Sequence, residues 1–388
     1  MDNTSLTKRI MVWVVASFVL LTTAPGLSAK ELTHSMSGYY KNLAVQGNTF
    51  IGNSADYFLD LNRLRLQLDA AYQALSMNIK YDNEWLLGDY LRTMQYQLLG
   101  QPNHVQYWNL DKRYINRPSL QARQKLYRGT LSWHGEQTDV RVGRQQINWS
   151  TTIIWNPMDR FNPLNPLQLE RNERLGVDAL KVDYALGDTS SLSVAYAPAH
   201  DVKKRLYAAR IRTNWLGIDG SIMAGDYARV QKFGLGLAGQ LNWVGWRSEI
   251  VASQPQYQKA YTEVVVSVDY TTLSGISLLL EGYYNGEGTT DKKYYPFNRL
   301  IQGTIVGVGK HYWGGKVSKD LSPLLRLSLY AIQNLDDGSR FFYPTINYTV
   351  PQFRNLYFKA GAQVFNGSAG SEYHFLKSLY FVSLQQYF

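Results

Sequence analysis

The sequence predicts an all-β chain folded as one transmembrane antiparallel β-barrel of about 18 strands, or 16–20 allowing for slips at strand ends. Three observations carry that expectation. Many segments alternate apolar and polar residues with period two, over runs of about 10–12 residues, where soluble strands average about 5–6 and membrane strands need about 9–11. The chain is 14% aromatic and only 18% charged, and its Tyr and Trp gather at the ends of those runs. Short turns and longer loops alternate along it, as in a barrel whose two ends lie on the same side of a membrane.

The first element is a leader. Lys8 and Arg9 give a positive end, Ile10–Leu21 is an uncharged run of 12 residues, and Pro25, Gly26, Ser28 and Ala29 predict cleavage after Ala29. Twelve residues are too few to span a hydrocarbon core of about 30 Å. Residues 1–29 are therefore expected to be an export signal, and 30–388 a single barrel domain. Removing Asp2, Lys8 and Arg9 takes 40 basic and 30 acidic residues to 38 and 29, so the net charge falls from +10 to +9. With no Cys, the chain has no disulfide, no thiolate metal site and no C-x-x-C-H haem attachment.

The strands are expected near 36–47, 60–70, 75–86, 122–134, 138–149, 176–186, 190–198, 204–214, 218–228, 232–243, 245–253, 260–271, 275–284, 302–316, 324–333, 341–350, 355–365 and 374–388. Leu64, Leu66 and Leu68 interleave with Arg63, Arg65 and Gln67, and Met77, Ile79 and Tyr81 with Asn78, Lys80 and Asp82. Leu180, Val182 and Tyr184 interleave with Lys181 and Asp183, and Leu325, Leu327 and Leu329 with Arg326 and Ser328. Turn-like links such as 135–137, 187–189, 215–217 and 272–274 follow even-numbered strands. The long links 87–121, 150–175 and 285–301 follow odd-numbered ones, so they are read as extracellular or inward-folded loops. Tyr81–Trp85, Trp133, Trp149, Trp215, Trp243–Trp246, Tyr283–Tyr284 and Tyr312–Trp313 are read as interfacial girdles. The last strand ends on Phe388 with Tyr380, Val382 and Leu384 on one face, which resembles the terminal strand of bacterial outer-membrane barrels; Gln386 departs from that pattern.

A more distinctive stretch runs Val142-Gly-Arg-Gln-Gln-Ile-Asn-Trp149, Trp155-Asn-Pro-Met-Asp-Arg-Phe-Asn-Pro-Leu-Asn-Pro166 and Glu170-Arg-Asn-Glu-Arg-Leu-Gly-Val-Asp-Ala-Leu180. It resembles a strand, loop and strand of large proteobacterial outer-membrane porins, among them alginate-export-type porins and the barrels of porin–cytochrome conduits. The resemblance covers about 40 residues closely and implies an outer-membrane β-barrel of a Gram-negative bacterium. Independently of it, Pro157, Pro163 and Pro166 cannot donate ladder hydrogen bonds, so 155–166 cannot be a central strand. A rigid charged loop there can fold inward, with Arg160, Glu170, Arg171, Glu173 and Arg174 as a constriction, or can face water outside.

If the apolar parity faces lipid, the other parity lines the lumen. The inward basic candidates are Arg63, Arg65, Lys80, Arg128, Arg141, Lys181, Arg210, Arg212, Arg247, Arg326, Lys359 and Lys377. The acidic ones are fewer: Asp82, Asp139, Asp183, Glu249, Glu263, Asp269 and Glu281. An Arg on the lipid face would cost about 2–4 kcal/mol at mid-bilayer, which supports the inward assignment. A surplus of basic groups selects anions, unless the charges pair across the lumen. Arg144 shares parity with Val140 and Val142, so it is placed at the rim or beyond a bulge at Gly143.

The six His residues are scattered, with no H-E-x-x-H or G-x-S-x-G, so a non-enzymatic chain without metal or cofactor is expected. A Ser–His or Asp–His site across strands would leave no local signature. A basic pI of 9.4 suits a nucleic-acid partner, but an exported barrel has no access to one, so none is expected. The expected function is a porin passing or exporting hydrophilic, anionic solutes, its partners being that solute and outer-membrane lipid. The rival reading is a sheath around a periplasmic multihaem cytochrome, which would have to bring every haem.

Overall fold

A computed structural model describes residues 32–52, 54–99, 106–170, 173–353 and 355–388. The proposed leader, 1–29, lies outside the described residues. The strands in chain order are β1 (Leu32–Asn48), β2 (Asp56–Tyr72), β3 (Leu75–Leu87), β4 (Asp111–Arg117), β5 (Leu120–His134), β6 (Thr138–Gln145), β7 (Val177–Ala185), β8 (Ser191–Ala197), β9 (Leu206–Trp215) and β10 (Ile218–Tyr227). They continue as β11 (Val230–Leu241), β12 (Val244–Pro255), β13 (Tyr261–Thr271), β14 (Ile276–Asn285), β15 (His311–Ser322), β16 (Leu325–Asn334), β17 (Arg340–Thr349), β18 (Leu356–Asn366) and β19 (Leu379–Tyr387).

Consecutive strands pair antiparallel, except that β3 pairs with β5, and the ring closes where β1 meets β19 in register from Tyr39 opposite Tyr387 to Gly47 opposite Leu379. Setting aside β4, the 19-stranded sheet is a closed barrel of 18 strands, as the sequence predicts. Closure leaves no unpaired edge. No helix among the described residues is long and apolar enough to cross a membrane.

Strand parity sets the two faces. Leu131, Val142, Leu180, Val194, Ile211, Ile222, Leu235, Ile250, Val266, Leu280, Val317, Leu329, Ile346 and Val382 are exposed on the outside. Exposed Trp133, Tyr184, Trp215, Trp243 and Tyr270 stand near the short turns, and Tyr207, Phe233, Tyr257, Tyr284, Trp313 and Tyr380 toward the long loops. An apolar band between aromatic girdles is the surface a bilayer solvates. Trp149, Tyr283 and Tyr312 are corrections to the girdle reading, because all three are buried inside the barrel.

Three boundaries also move. The strand expected at 302–316 is β15, starting at His311; Ile305 and Val308 instead pack with Tyr295 in a loop cluster. That expected at 374–388 starts at Leu379, because Glu372–Phe375 form a helical turn, so Lys377 is an exposed loop residue and not a lumen one. The strand at 138–149 stops at Gln145, where the chain turns inward.

β4 is absent from the sequence reading and explains Arg144. The first half of β5 is bonded to β3 on one edge and β4 on the other, while β6 pairs with β5 only from Gly129 onward. β4 thus continues the wall where β6 ends. Arg144 keeps outward parity and lies buried under residues 106–111, donating to Asp178 (2.9 and 3.2 Å) and to the carbonyls of Leu126 (3.0 Å) and Trp108 (2.6 Å). Gly143 beside it has φ 115°, and a Cβ there would stand 2.1 Å from the Gly129 carbonyl oxygen, so only glycine fits.

Candidate functional site

The described residues between β6 and β7, 146–170 and 173–176, fold into the lumen rather than away from it. Ile147, Trp149, Ile154, Trp155, Met158, Phe161 and Leu164 are all buried, which an external loop could not achieve. The Asn-Pro-rich motif closes this loop on itself. Asn162 accepts the N–H of Ile147 (2.7 Å) and donates to the carbonyl of Leu175, joining the two ends. Asp159 accepts from the N–H groups of Trp149 and Ser150 (2.8 Å to the latter) and from Arg174 at 2.7 Å. Burial pushes the Asp159 carboxyl above its ordinary range despite those donors.

The loop then crosses the barrel, tied to one wall after another. Glu249 of β12 accepts from Ser150 Oγ (2.7 Å) and from the N–H groups of Thr151 (2.5 Å) and Thr152 (3.3 Å). Glu281 of β14 accepts three consecutive N–H groups, from Ile153 (3.1 Å), Ile154 (3.0 Å) and Trp155 (2.7 Å). Trp155 stacks on Tyr283, with ring centroids 5.1 Å apart. Gly314 of β15 leaves room for this, since a Cβ there would lie 2.9 Å from both Ile154 and Trp155. Arg160 is bonded to Glu263 of β13 and to the Pro157 carbonyl (2.8 Å).

The returning half lies against the far wall. The Leu167 carbonyl accepts from Gln363 of β18 (2.9 Å) and that of Leu169 from Tyr343 of β17 (3.1 Å). Glu170 is paired with Lys41 of β1 (2.7 Å) and Arg63 of β2 (3.0 Å), and Glu173 with Arg65 (2.9 Å) and the Tyr39 hydroxyl (3.1 Å). Burial raises the Glu170 carboxyl, but Arg63 and Lys41 more than offset it and hold it at about 2. Burial likewise raises Glu173, and Arg65 and Arg63 reverse the sign, leaving it below the usual carboxylate range. Arg128 and the Tyr127 hydroxyl both donate to the Arg174 carbonyl.

Of the expected constriction residues, Arg160, Glu170, Glu173 and Arg174 lie inside the barrel, and Arg171 is outside the described residues. They are anchors rather than free charges. Much of the basic surplus is neutralised in the same way. Arg63 and Arg65 meet Glu84 and Asp82 (2.7 and 2.6 Å), Arg212 meets Asp219 (3.2 Å), Arg326 meets Asp320 (2.6 Å), and Arg247 and Lys181 meet Asp269 and Asp183. Lys359 donates to the Tyr343 hydroxyl at 3.3 Å.

A group of basic side chains remains in one sector. Among the described residues, Lys80, Arg128, Arg141 and Arg210 have no carboxylate within ion-pair distance; they lie on inward faces of β3, β5, β6 and β9. Lys80 is opposite Arg128 in register, and Arg141 opposite Lys181. Arg210 reaches the Trp149 carbonyl (3.3 Å) and stands 5.5 Å from its ring centre, so it joins this basic sector to the loop. Asp159, Asn162, Lys41, Tyr39, Glu84, Tyr343 and Gln363 were not singled out from sequence as site residues. Asp159 and Asn162 had a local signal, the motif itself; the others reveal their role only through contacts over long sequence separations.

No family model matches the chain, and no curated protein does. Solved structures do. OccAB2 of Acinetobacter baumannii is 10% identical with TM-score 0.59, covering 92% of this chain and 98% of that one. OccK8 (OprE) of Pseudomonas aeruginosa is 10% identical with TM-score 0.58 over the same shares. OpdK of Pseudomonas aeruginosa, solved with vanillate, is 8% identical with TM-score 0.58, again over 92% and 98%. The chain therefore has the fold of these outer-membrane barrels over nearly its whole described length.

Proposed function

We propose that this protein is a channel of the Gram-negative outer membrane that passes small, hydrophilic, anionic solutes. The observation that carries the reading is the loop 146–176, anchored across the lumen of an 18-strand barrel so that it narrows the pore instead of capping it. An unobstructed barrel of this size leaves a wide aqueous interior, so such a loop converts a hole into a filter. Beside it, the sector formed by Lys80, Arg128, Arg141 and Arg210 attracts anions, because low-dielectric walls focus its field into the pore. The structural neighbour solved with vanillate, a carboxylate, agrees with that sign. Passage of this kind makes and breaks no covalent bond.

A multihaem cytochrome sheathed by the barrel would need the volume that residues 146–176 occupy, which weighs against the rival reading. The test is a planar-bilayer recording of the purified chain in a tenfold KCl gradient. A reversal potential of anion-selective sign supports the proposal; a cation-selective or non-conducting barrel refutes it.

A further inference from the structure

Three lumen-facing side chains near the short turns form a relay that solute passage does not use. Ser76 of β3, His134 at the end of β5 and Asp139 of β6 share inward parity, their neighbours Leu75 and Trp133 being exposed on the outer face. Ser76 Oγ lies 2.8 Å from His134 Nε2, and His134 Nδ1 lies 2.7 Å from Asp139 Oδ1. A carboxylate on Nδ1 favours the tautomer that carries its proton there, which leaves Nε2 as a base toward the hydroxyl.

The surrounding ladder holds this geometry. His134 is opposite Asp139 in register, and Ser76 opposite Ser132. The His134 N–H donates to the Ala74 carbonyl (2.7 Å), and Gly135 N–H to that of Thr138 (2.8 Å), so both adjoining turns are pinned. Strands place a reacting group more rigidly than loops do. Arg141 Nε donates to Ser132 Oγ at 3.3 Å, which holds a guanidinium on Ser132, the residue opposite Ser76 in register, on the side from which a developing oxyanion needs a donor. The side chains of His134 and Asp139 are 46% and 55% exposed, so a solute in the pore mouth can reach them.

We propose that Ser76, His134 and Asp139 form a serine esterase site at the inner mouth of the barrel, acting on small carboxylic esters. Ser76 Oγ attacks the acyl carbon while its proton passes to His134 Nε2. The tetrahedral oxyanion is met by Arg141. The bond to the leaving oxygen breaks and that oxygen takes the proton from His134, leaving an acyl-serine. Water then attacks the acyl carbon with His134 as base, releasing the acid and restoring the Ser76 hydroxyl; ester and water give acid and alcohol. Because water reaches the imidazole, the acceleration is expected on the scale of general acid–base catalysis alone, about 10²–10⁴-fold.

The experiment uses the full chain folded in detergent micelles, a fluorophosphonate probe with peptide mapping, and hydrolysis of p-nitrophenyl acetate. A single label on Ser76, absent in Ser76→Ala and formed at least tenfold more slowly in His134→Gln and Asp139→Asn, with ester hydrolysis falling in parallel, is the expected result. An unlabelled wild-type protein, or a label formed as fast in His134→Gln, overturns the proposal. Wild-type single-channel conductance in Ser76→Ala confirms that the variant is folded. The proposal does not depend on ion selectivity, so a cation-selective pore would refute the channel reading and leave this one standing.

Discussion

Trp155 donates its backbone N–H to the carboxylate of Glu281 at 2.7 Å, a bond that joins residues 126 positions apart and pins the lumen loop to the wall of β14. With the N–H groups of Ile153 and Ile154 on the same carboxylate, Glu281 satisfies three donors that the irregular backbone would otherwise bury unpaired. Hydrogen bonds to a charged acceptor are worth about 1.5–3 kcal/mol each. Glu281→Ala is therefore expected to free the tip of the loop while the barrel still forms. Single-channel recordings should show larger and noisier currents than wild type; identical traces would mean that the loop is held elsewhere.

The ion pairs at the other end of the loop give it a pH dependence. Glu170 is held at about 2 in the folded chain, against about 4.3 in an open one. A depressed carboxylate contributes stability that is complete above the open-chain value and is lost as pH falls from about 4.3 to about 2. Glu173 shifts in the same direction. Conductance should thus be steady from pH 7 to 5 and rise below about pH 4 as the loop loosens. Glu170→Gln should carry part of that rise at neutral pH and respond less to acid, which a pH series in planar bilayers reads directly.

Selectivity should reside in the unpaired sector and not in the paired arginines. Neutralising Lys80, Arg141 and Arg210 together to Gln is expected to lower the anion-to-cation permeability ratio several-fold. Arg326→Gln, whose partner Asp320 lies at 2.6 Å near the short-turn end, should change it little. The effect should shrink at 1 M salt, where the screening length is about 3 Å. Reversal potentials of the two variants decide the matter.

Arg144 and Asp178 are both buried on the outward parity, so removing Arg144 strands a buried carboxylate, and removing Asp178 leaves the buried guanidinium only the more distant Asp111 at 3.6 Å. Breaking such a pair costs about 3–5 kcal/mol, whereas replacing both partners by apolar residues is often neutral. Asp178→Ala is expected to lower the unfolding temperature in detergent, and the Arg144→Met, Asp178→Leu double variant to recover most of the loss. Thermal melts of the three proteins check this.

The barrel was legible because a wall that is apolar outside and polar inside writes its parity into every strand. Leu180, Val182 and Tyr184 against Lys181 and Asp183 already placed β7 correctly. Residues 302–310 misled because Ile305, Val306 and Val308 are as apolar as a strand, yet Ile305 and Val308 are buried in a loop cluster with Tyr295, and Val306 packs on the main cluster inside the barrel. β4 left no signal, since Asp111–Arg117 lacks a clean apolar alternation and earns its place only by completing the wall where β6 stops. In the site, the Asn-Pro motif was visible but its anchors were not. Glu249, Glu263 and Glu281 read as pore-facing acids, and only the fold shows them bound to the loop. The Ser76–His134–Asp139 relay was equally silent, because its members sit on three different strands.

The central claim is that residues 146–176 set the size of the pore, and deleting 158–172 tests it most directly. Recorded at the single-channel level in 1 M KCl, the deletion should conduct several-fold more than wild type. A folded deletion protein with wild-type conductance would contradict the account.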